Sequence, residues 1–179
     1  MVTAGWAEVS VTMVAASCYG SPMDRQTRWV LLAYRLPREP STPRIAMWRA
    51  LRRLGVAQVV DGVVGLPLDA HTREHLEWLA EEVIEHGGEA TIWLAEPGST
   101  AQERVLARQM ADVVTADYDR LIDAASAVVD EPDNVRRRTI TRLRRELARI
   151  RSRDYFPSSA AERARAAIEA LAGTLEVAS

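Results

Sequence analysis

The stretch WVLLAYRLPREPSTPRIAMWRALRRLG, residues 29–55, decides the fold. Val30, Leu31, Leu32, Ala33 and Tyr34 form an apolar run too short for a helix of its own, which reads as a strand covered on at least one face. Pro37 and Pro40 end it, because proline cannot donate to a ladder and holds its predecessor extended. Thr42 then caps a helix with Pro43 at its first position, where a missing N–H costs nothing. Met47, Trp48, Leu51 and Leu54 share one helical face. Gly55 stands where a left-handed residue closes the helix.

Working outward, Asp61-Gly62 lies between two valine-rich arms and predicts a two-residue hairpin turn with both central residues at positive φ. Pro67 ends the second arm, and Gly65 is expected to loosen or bulge it. A second helix over 71–86 buries Leu76, Leu79, Ala80, Val83 and Ile84, with His71 at its cap and Gly87-Gly88 as its stop. Glu89 to Leu94 is a fourth strand. The order β-α-β-β-α-β is a ferredoxin-like unit, in which Trp29, Trp48, Trp78 and Trp93 serve as core or near-core residues. The fold class is therefore α+β.

Pro97-Gly98 opens an all-helical tail. Thr100 and Glu103 form a capping box for a helix over about 101–129 whose apolar side is Val105, Val113, Val114, Tyr118, Leu121, Ile122, Ala125 and Val129. Pro132 breaks it. Residues 134–153 form a partner helix with Ile140, Leu143, Leu147 and Ile150 inward, completing an antiparallel hairpin. Ser159 and Glu162 cap a short last helix to about Leu171. The domains are 28–96, ferredoxin-like, and 97–179, helical. Residues 1–27 read as a disordered leader, or as sequence upstream of a true start at Met23; the intact mass of the natively expressed protein separates the two.

The chain has 179 residues, enough for a proper core, and no apolar run of membrane-spanning length. Its single cysteine, Cys18, excludes an internal disulfide framework and a cysteine metal cluster and points to a cytoplasmic home. Net charge is −2, with 23 basic side chains, all of them arginine. Charge is sorted by segment: seven arginines against Glu39 over 28–58, eight acids against Arg73 over 69–96, nine arginines against Glu146 over 134–153.

The ordered pieces Tyr34 to Ser41, Pro43-Arg44, Trp48-Arg49, Leu51, Arg53-Leu54-Gly55, Asp61-Gly62-Val63, Leu66-Pro67, Trp78 to Glu82, Gly87 to Ala90 and Arg151 to Phe156 resemble the N-terminal domain of the ChrB family. The resemblance covers roughly residues 28–175. A more distant likeness is to the C-terminal domain of PaaX-type repressors and to small CRISPR-associated endonucleases. The ChrB resemblance implies a role in chromate resistance, as a dimeric, DNA-binding transcriptional regulator of chromate efflux relieved by chromate or a related oxyanion. ChrB proteins commonly continue into a second domain.

Two arginine clusters are the candidate sites for DNA or oxyanion. One is Arg35, Arg38, Arg44, Arg49, Arg52 and Arg53, around the first turn and the outer face of the first helix. The other is the helix of residues 134–153, with Arg137, Arg138, Arg142, Arg145 and Arg149 as the phosphate-tracking residues. The competing reading is neutralisation: the first cluster by glutamates of the second helix, the arginine helix by acids of the helix before it, Glu103, Asp112, Asp117, Asp119, Asp123, Asp130 and Glu131. His71-x-x-Glu74-His75 has the inverted zinc-protease spacing, but the element reads as a surface helix with no third-ligand helix, so no metal is expected. The endonucleases carry an acidic metal ligand at the end of the first strand, where this chain has Arg35. No nucleophile–base pair, phosphate loop or redox cofactor signature appears. The sequence thus points away from an enzyme, and the alternative to a DNA-binding regulator is a protein–protein interaction module.

Overall fold

The computed structural model describes residues 28–176; the leader reading and Cys18 lie outside the described residues. Four strands, β1 (Trp29–Arg35), β2 (Ala57–Val60), β3 (Val63–Pro67) and β4 (Glu89–Ala95), form one antiparallel sheet in the order β2-β3-β1-β4. Helix α1 (Ser41–Leu54) joins β1 to β2, and α2 (Ala70–Glu85) joins β3 to β4. This is the ferredoxin-like arrangement. Val30, Leu32, Val64 and Leu66 are fully buried on one face, packed with Met47 and Leu51 of α1 and Leu76, Leu79, Ala80 and Val83 of α2. The tail forms α3 (Thr100–Ser126), α4 (Asp133–Arg151) and α5 (Ser159–Glu176). α5 is 18 residues long, longer than its caps implied, and it packs on both α3 and α4, so the hairpin becomes a three-helix bundle.

The local starts differ from the sequence reading. α1 is entered from Pro40, which contributes no side-chain cap, so Thr42 is not the cap and Pro43 sits third in the helix, still among the positions whose N–H has no helical acceptor. Gly55 does close it, at φ 72°. His71 is not the cap of α2. Asp69 is: its carboxylate accepts from the Thr72 N–H at 2.7 Å while the Thr72 hydroxyl accepts from the Asp69 N–H at 2.9 Å. α3 is capped by Ser99, whose Oγ accepts from the Gln102 N–H at 3.3 Å, and not by Thr100. At α5 the cap is Ser158, whose Oγ accepts from the Ala160 N–H, while Ser159 is already helical.

In the hairpin only Gly62 has positive φ, 74°, and Asp61 does not. The irregularity falls in β2 between Gln58 and Val60. Gly65 does not bulge β3: it pairs with Leu31 and Ala57, and a β-carbon there would lie 2.6 Å from Leu31 Cδ2, so the position is kept empty for the leucine.

Three of the four tryptophans expected in the core are outside it. Trp29 is 1% exposed, whereas Trp48, Trp78 and Trp93 are 56, 56 and 59% exposed. Ile84, Val105, Val113 and Val129 are also exposed. The sheet's second face explains part of this. Phe156, stacked on Trp29 at 6.2 Å, and the first half of α3 lie against it, and a cleft of about 460 Å³ remains between Leu31, Val59 and Val105. The buried core changes hands inside α3: Met110 belongs to the sheet's cluster and Val114 to the bundle's.

Candidate nucleic-acid interface

α4 carries the second of the two candidate arginine clusters. Its buried face is Thr139, Ile140, Leu143, Leu147 and Ile150. On the opposite face Arg138, Arg142, Arg145 and Arg149, at spacings of four, three and four, stand in one stripe. With Thr141 and Glu146 they line a shallow groove of about 230 Å³. All four are exposed, and among the described residues none has an ion-pair partner. Arg137, also exposed, flanks the stripe, with its carbonyl accepting from the Thr141 hydroxyl. Like charges one turn apart cost an isolated helix roughly 0.2–0.5 kcal/mol per pair, so the stripe carries mutual repulsion.

Three of the four remaining arginines of this segment are occupied, and the fourth, Arg151, is exposed with no ion-pair partner among the described residues. Arg136 reaches Asp133 and Thr174, and Arg144 pairs with Glu169 of α5 at 3.1 Å. Arg153, one turn past the stripe, binds Asp117 of α3 and donates to the Arg52 carbonyl at 3.1 Å. Of the acids of α3, Asp117 is seen paired with an arginine of this segment. Asp119 pairs with Arg163 of α5 instead.

The first cluster divides. Arg49 and Arg53 point away from the buried Met47–Leu51 face of α1 and have no ion-pair partner among the described residues. The glutamates of α2 do not neutralise them. The Arg52 guanidinium lies over the Trp48 ring at 4.9 Å. Arg38 and Arg44 are exposed at the other end of α1. Arg35 faces Glu89 across the sheet at 3.7 Å with both side chains about four-fifths exposed, a contact of little energy. The structure joins the C-terminal end of α1 to the segment just after α4 through Arg153, which donates to the Arg52 carbonyl, and through Tyr155, whose O–H donates to the Leu54 carbonyl at 3.2 Å. Arg35, Arg38 and Arg44 are not part of that junction.

The junction itself was not assigned from sequence. Arg153, Tyr155 and Asp154 act as a clamp, the last accepting from the buried Tyr118 hydroxyl at 3.0 Å. Burial, then the Asp154 hydrogen bond and charge, push the Tyr118 phenol up to about 12. The signal was present: charge and aromatics alternate in RSRDYF where the helical repeat stops.

The His71 and His75 rings meet edge to face at 4.1 Å, and among the described residues no group of three or more His, Cys, Asp or Glu side chains is placed to hold a metal ion. No helix among the described residues is long and apolar enough to cross a membrane.

The architecture is thus that of an α+β protein with a ferredoxin-like sheet, an appended helical bundle and an unneutralised arginine face. The chain belongs to the family described as "Protein ChrB, N-terminal", which matches residues 44–134, just over half of it. Protein ChrB of Cupriavidus metallidurans (strain ATCC 43123 / DSM 2839 / NBRC 102507 / CH34) is 29% identical over 147 residues, covering 80% of this chain and 45% of that protein. The chain spans less than half the length of that relative. No solved structure matches the chain at a significant level.

Proposed function

We propose that this protein is a DNA-binding transcriptional regulator of chromate resistance, acting in the cytoplasm as a homodimer and released from DNA by chromate or a related oxyanion. The observation that carries the reading is the stripe Arg138, Arg142, Arg145 and Arg149, aligned opposite the buried face of α4 and without an ion-pair partner among the described residues. Such a row matches the chemistry of a phosphate backbone, which supplies closely spaced fixed charge and gives affinity without base contacts. Arg49, Arg52 and Arg53 of α1 add positive charge near its C-terminal end. The reading is non-enzymatic.

Binding to the region upstream of its own gene, against a scrambled duplex across a salt series, tests it. Preference for the native fragment with a steep salt slope supports the regulator, and chromate added to that complex then tests release. Equal weak binding to both duplexes reduces the stripe to generic electrostatics.

A second reading, a protein–protein interaction module, is favoured by one observation: the uncovered part of the sheet, where Trp93 and Val105 are 59 and 67% exposed beside the apolar cleft. Absence of DNA binding at low salt favours it.

A further inference from the structure

We infer that a second site, separate from the α4 stripe, lies in the notch between α1, the β1–β2 end of the sheet and α3, and that it takes a nucleobase carrying a phosphate. The notch encloses about 290 Å³. That is the lower end of the roughly 300–1,000 Å³ range for small-molecule sites, enough for one ring system and too small for a dinucleotide.

Its walls are largely aliphatic with two aromatic rings, Tyr34 and Trp48, and its polar groups are those a base requires. Trp48 stands at the opening with more than half its surface in water, although α1 has a buried face available one residue away at Met47. Arg52 lies over the Trp48 ring at 4.9 Å and takes no acid. An exposed indole with a guanidinium on it is a platform on which a base stacks while the cation meets its phosphate. Tyr34 lines the notch from β1; burial holds its phenol above the ordinary value, so it stays a neutral hydroxyl.

Two amides face the same space. Gln58 Nε2 donates to the Val60 carbonyl at 2.5 Å, which fixes the amide and leaves its oxygen as an acceptor. Gln109 projects from α3, exposed. Neighbouring donors and acceptors of this kind read base edges. The acid that lines the notch, Asp117, is held by Arg153 and Arg120, so it offers little opposition to a phosphate. An inorganic oxyanion would meet Arg52, and Arg153 already bound to Asp117, and leave the aromatic and amide groups idle.

The base can come from a free nucleotide or from an unpaired position in nucleic acid, and the two are separated by experiment. The full chain is titrated calorimetrically with AMP, GMP, CMP and UMP, with inorganic phosphate, and with two duplexes that differ only in one unpaired base. At least one mononucleotide, or the duplex with the unpaired base, is expected to bind more tightly than its control. The loss in Trp48→Ala is about tenfold or more, as a lost stacking contact requires; Trp48→Phe retains binding, and Gln109→Leu changes the ranking of the bases. Mononucleotide binding assigns the free ligand, and a gain confined to the unpaired duplex assigns the nucleic-acid base. The inference is overturned if phosphate binds as well as every nucleotide and the two duplexes bind alike, or if Trp48→Ala, folded by circular dichroism, binds unchanged. Changing Arg142 and Arg145 leaves the mononucleotide result intact, so failure of the α4 reading and failure of this one are distinct.

Discussion

Tyr118 is the buried polar residue on which the clamp turns. Its hydroxyl meets Asp154 across 36 residues of sequence, and its pKa is raised from 10 to about 12. A phenol whose folded value lies above its unfolded value stabilises the fold at every pH below about 10 and loses that contribution as pH climbs to about 12. Tyr118→Phe is expected to cost about 1.5–3 kcal/mol at neutral pH, the range for a hydrogen bond to a charged partner, and to flatten the alkaline limb of stability. Urea titrations of both proteins from neutral pH to pH 12 check this; an unchanged alkaline limb removes Tyr118 from the account. Asp69 is the acidic counterpart. The Thr72 N–H, accepted by its carboxylate, holds its pKa below the usual value. Its stabilisation is present above the ordinary carboxylate range and fades as pH falls through the depressed value. Asp69→Ala is expected to destabilise by about 0.5–2 kcal/mol, whereas Asp69→Asn keeps a cap and loses only that acid dependence. A melting series on the two variants at neutral and low pH distinguishes them.

Among the elements, α4 separates what a sequence shows from what it withholds. Its apolar repeat Ile140, Leu143, Leu147 and Ile150 is visible in the spacing, and all four are buried. The fate of its arginines is not, because Arg136, Arg144 and Arg153 look like their neighbours until α3 and α5 bring Asp117, Thr174 and Glu169 to them. The same holds for α1, where Trp48 shares the periodic face with Met47 and Leu51 yet faces the notch. Hydrophobic period marks a face to within a residue or so, and the edge of that face is set by the neighbour. The caps lie one or two residues before the expected positions, because serine, threonine and aspartate cluster at the helix starts. From these placements, Arg142→Ala with Arg145→Ala is expected to leave stability within about 0.5 kcal/mol of the parent, since it relieves like charges. The same pair lowers the DNA salt slope by about 0.9 per arginine. Arg153→Ala should cost about 1.5–3 kcal/mol, as for a charged hydrogen-bonded partner removed. Denaturant curves beside salt titrations test both, and a large stability loss in the double variant would show the stripe to be structural.

At the scale of the molecule, the sheet and the bundle are legible as separate sequence regions but not as separate bodies. Leu106, Met110, Tyr155 and Phe156, all outside residues 28–96, help cover the sheet's core. A fragment of residues 28–96 is therefore expected to lack fixed tertiary structure, while residues 28–176 unfold in one transition. Dispersion of the fragment's amide resonances is the measurement, and a well-dispersed spectrum would show that the sheet stands alone. The placement of the tryptophans also dictates how such transitions can be watched. Trp29 is buried, while Trp48, Trp78 and Trp93 already sit more than half in water, so among these four rings unfolding changes the surroundings of Trp29 most. A melt followed by fluorescence wavelength is therefore expected to be weighted towards the release of Trp29 from Phe156.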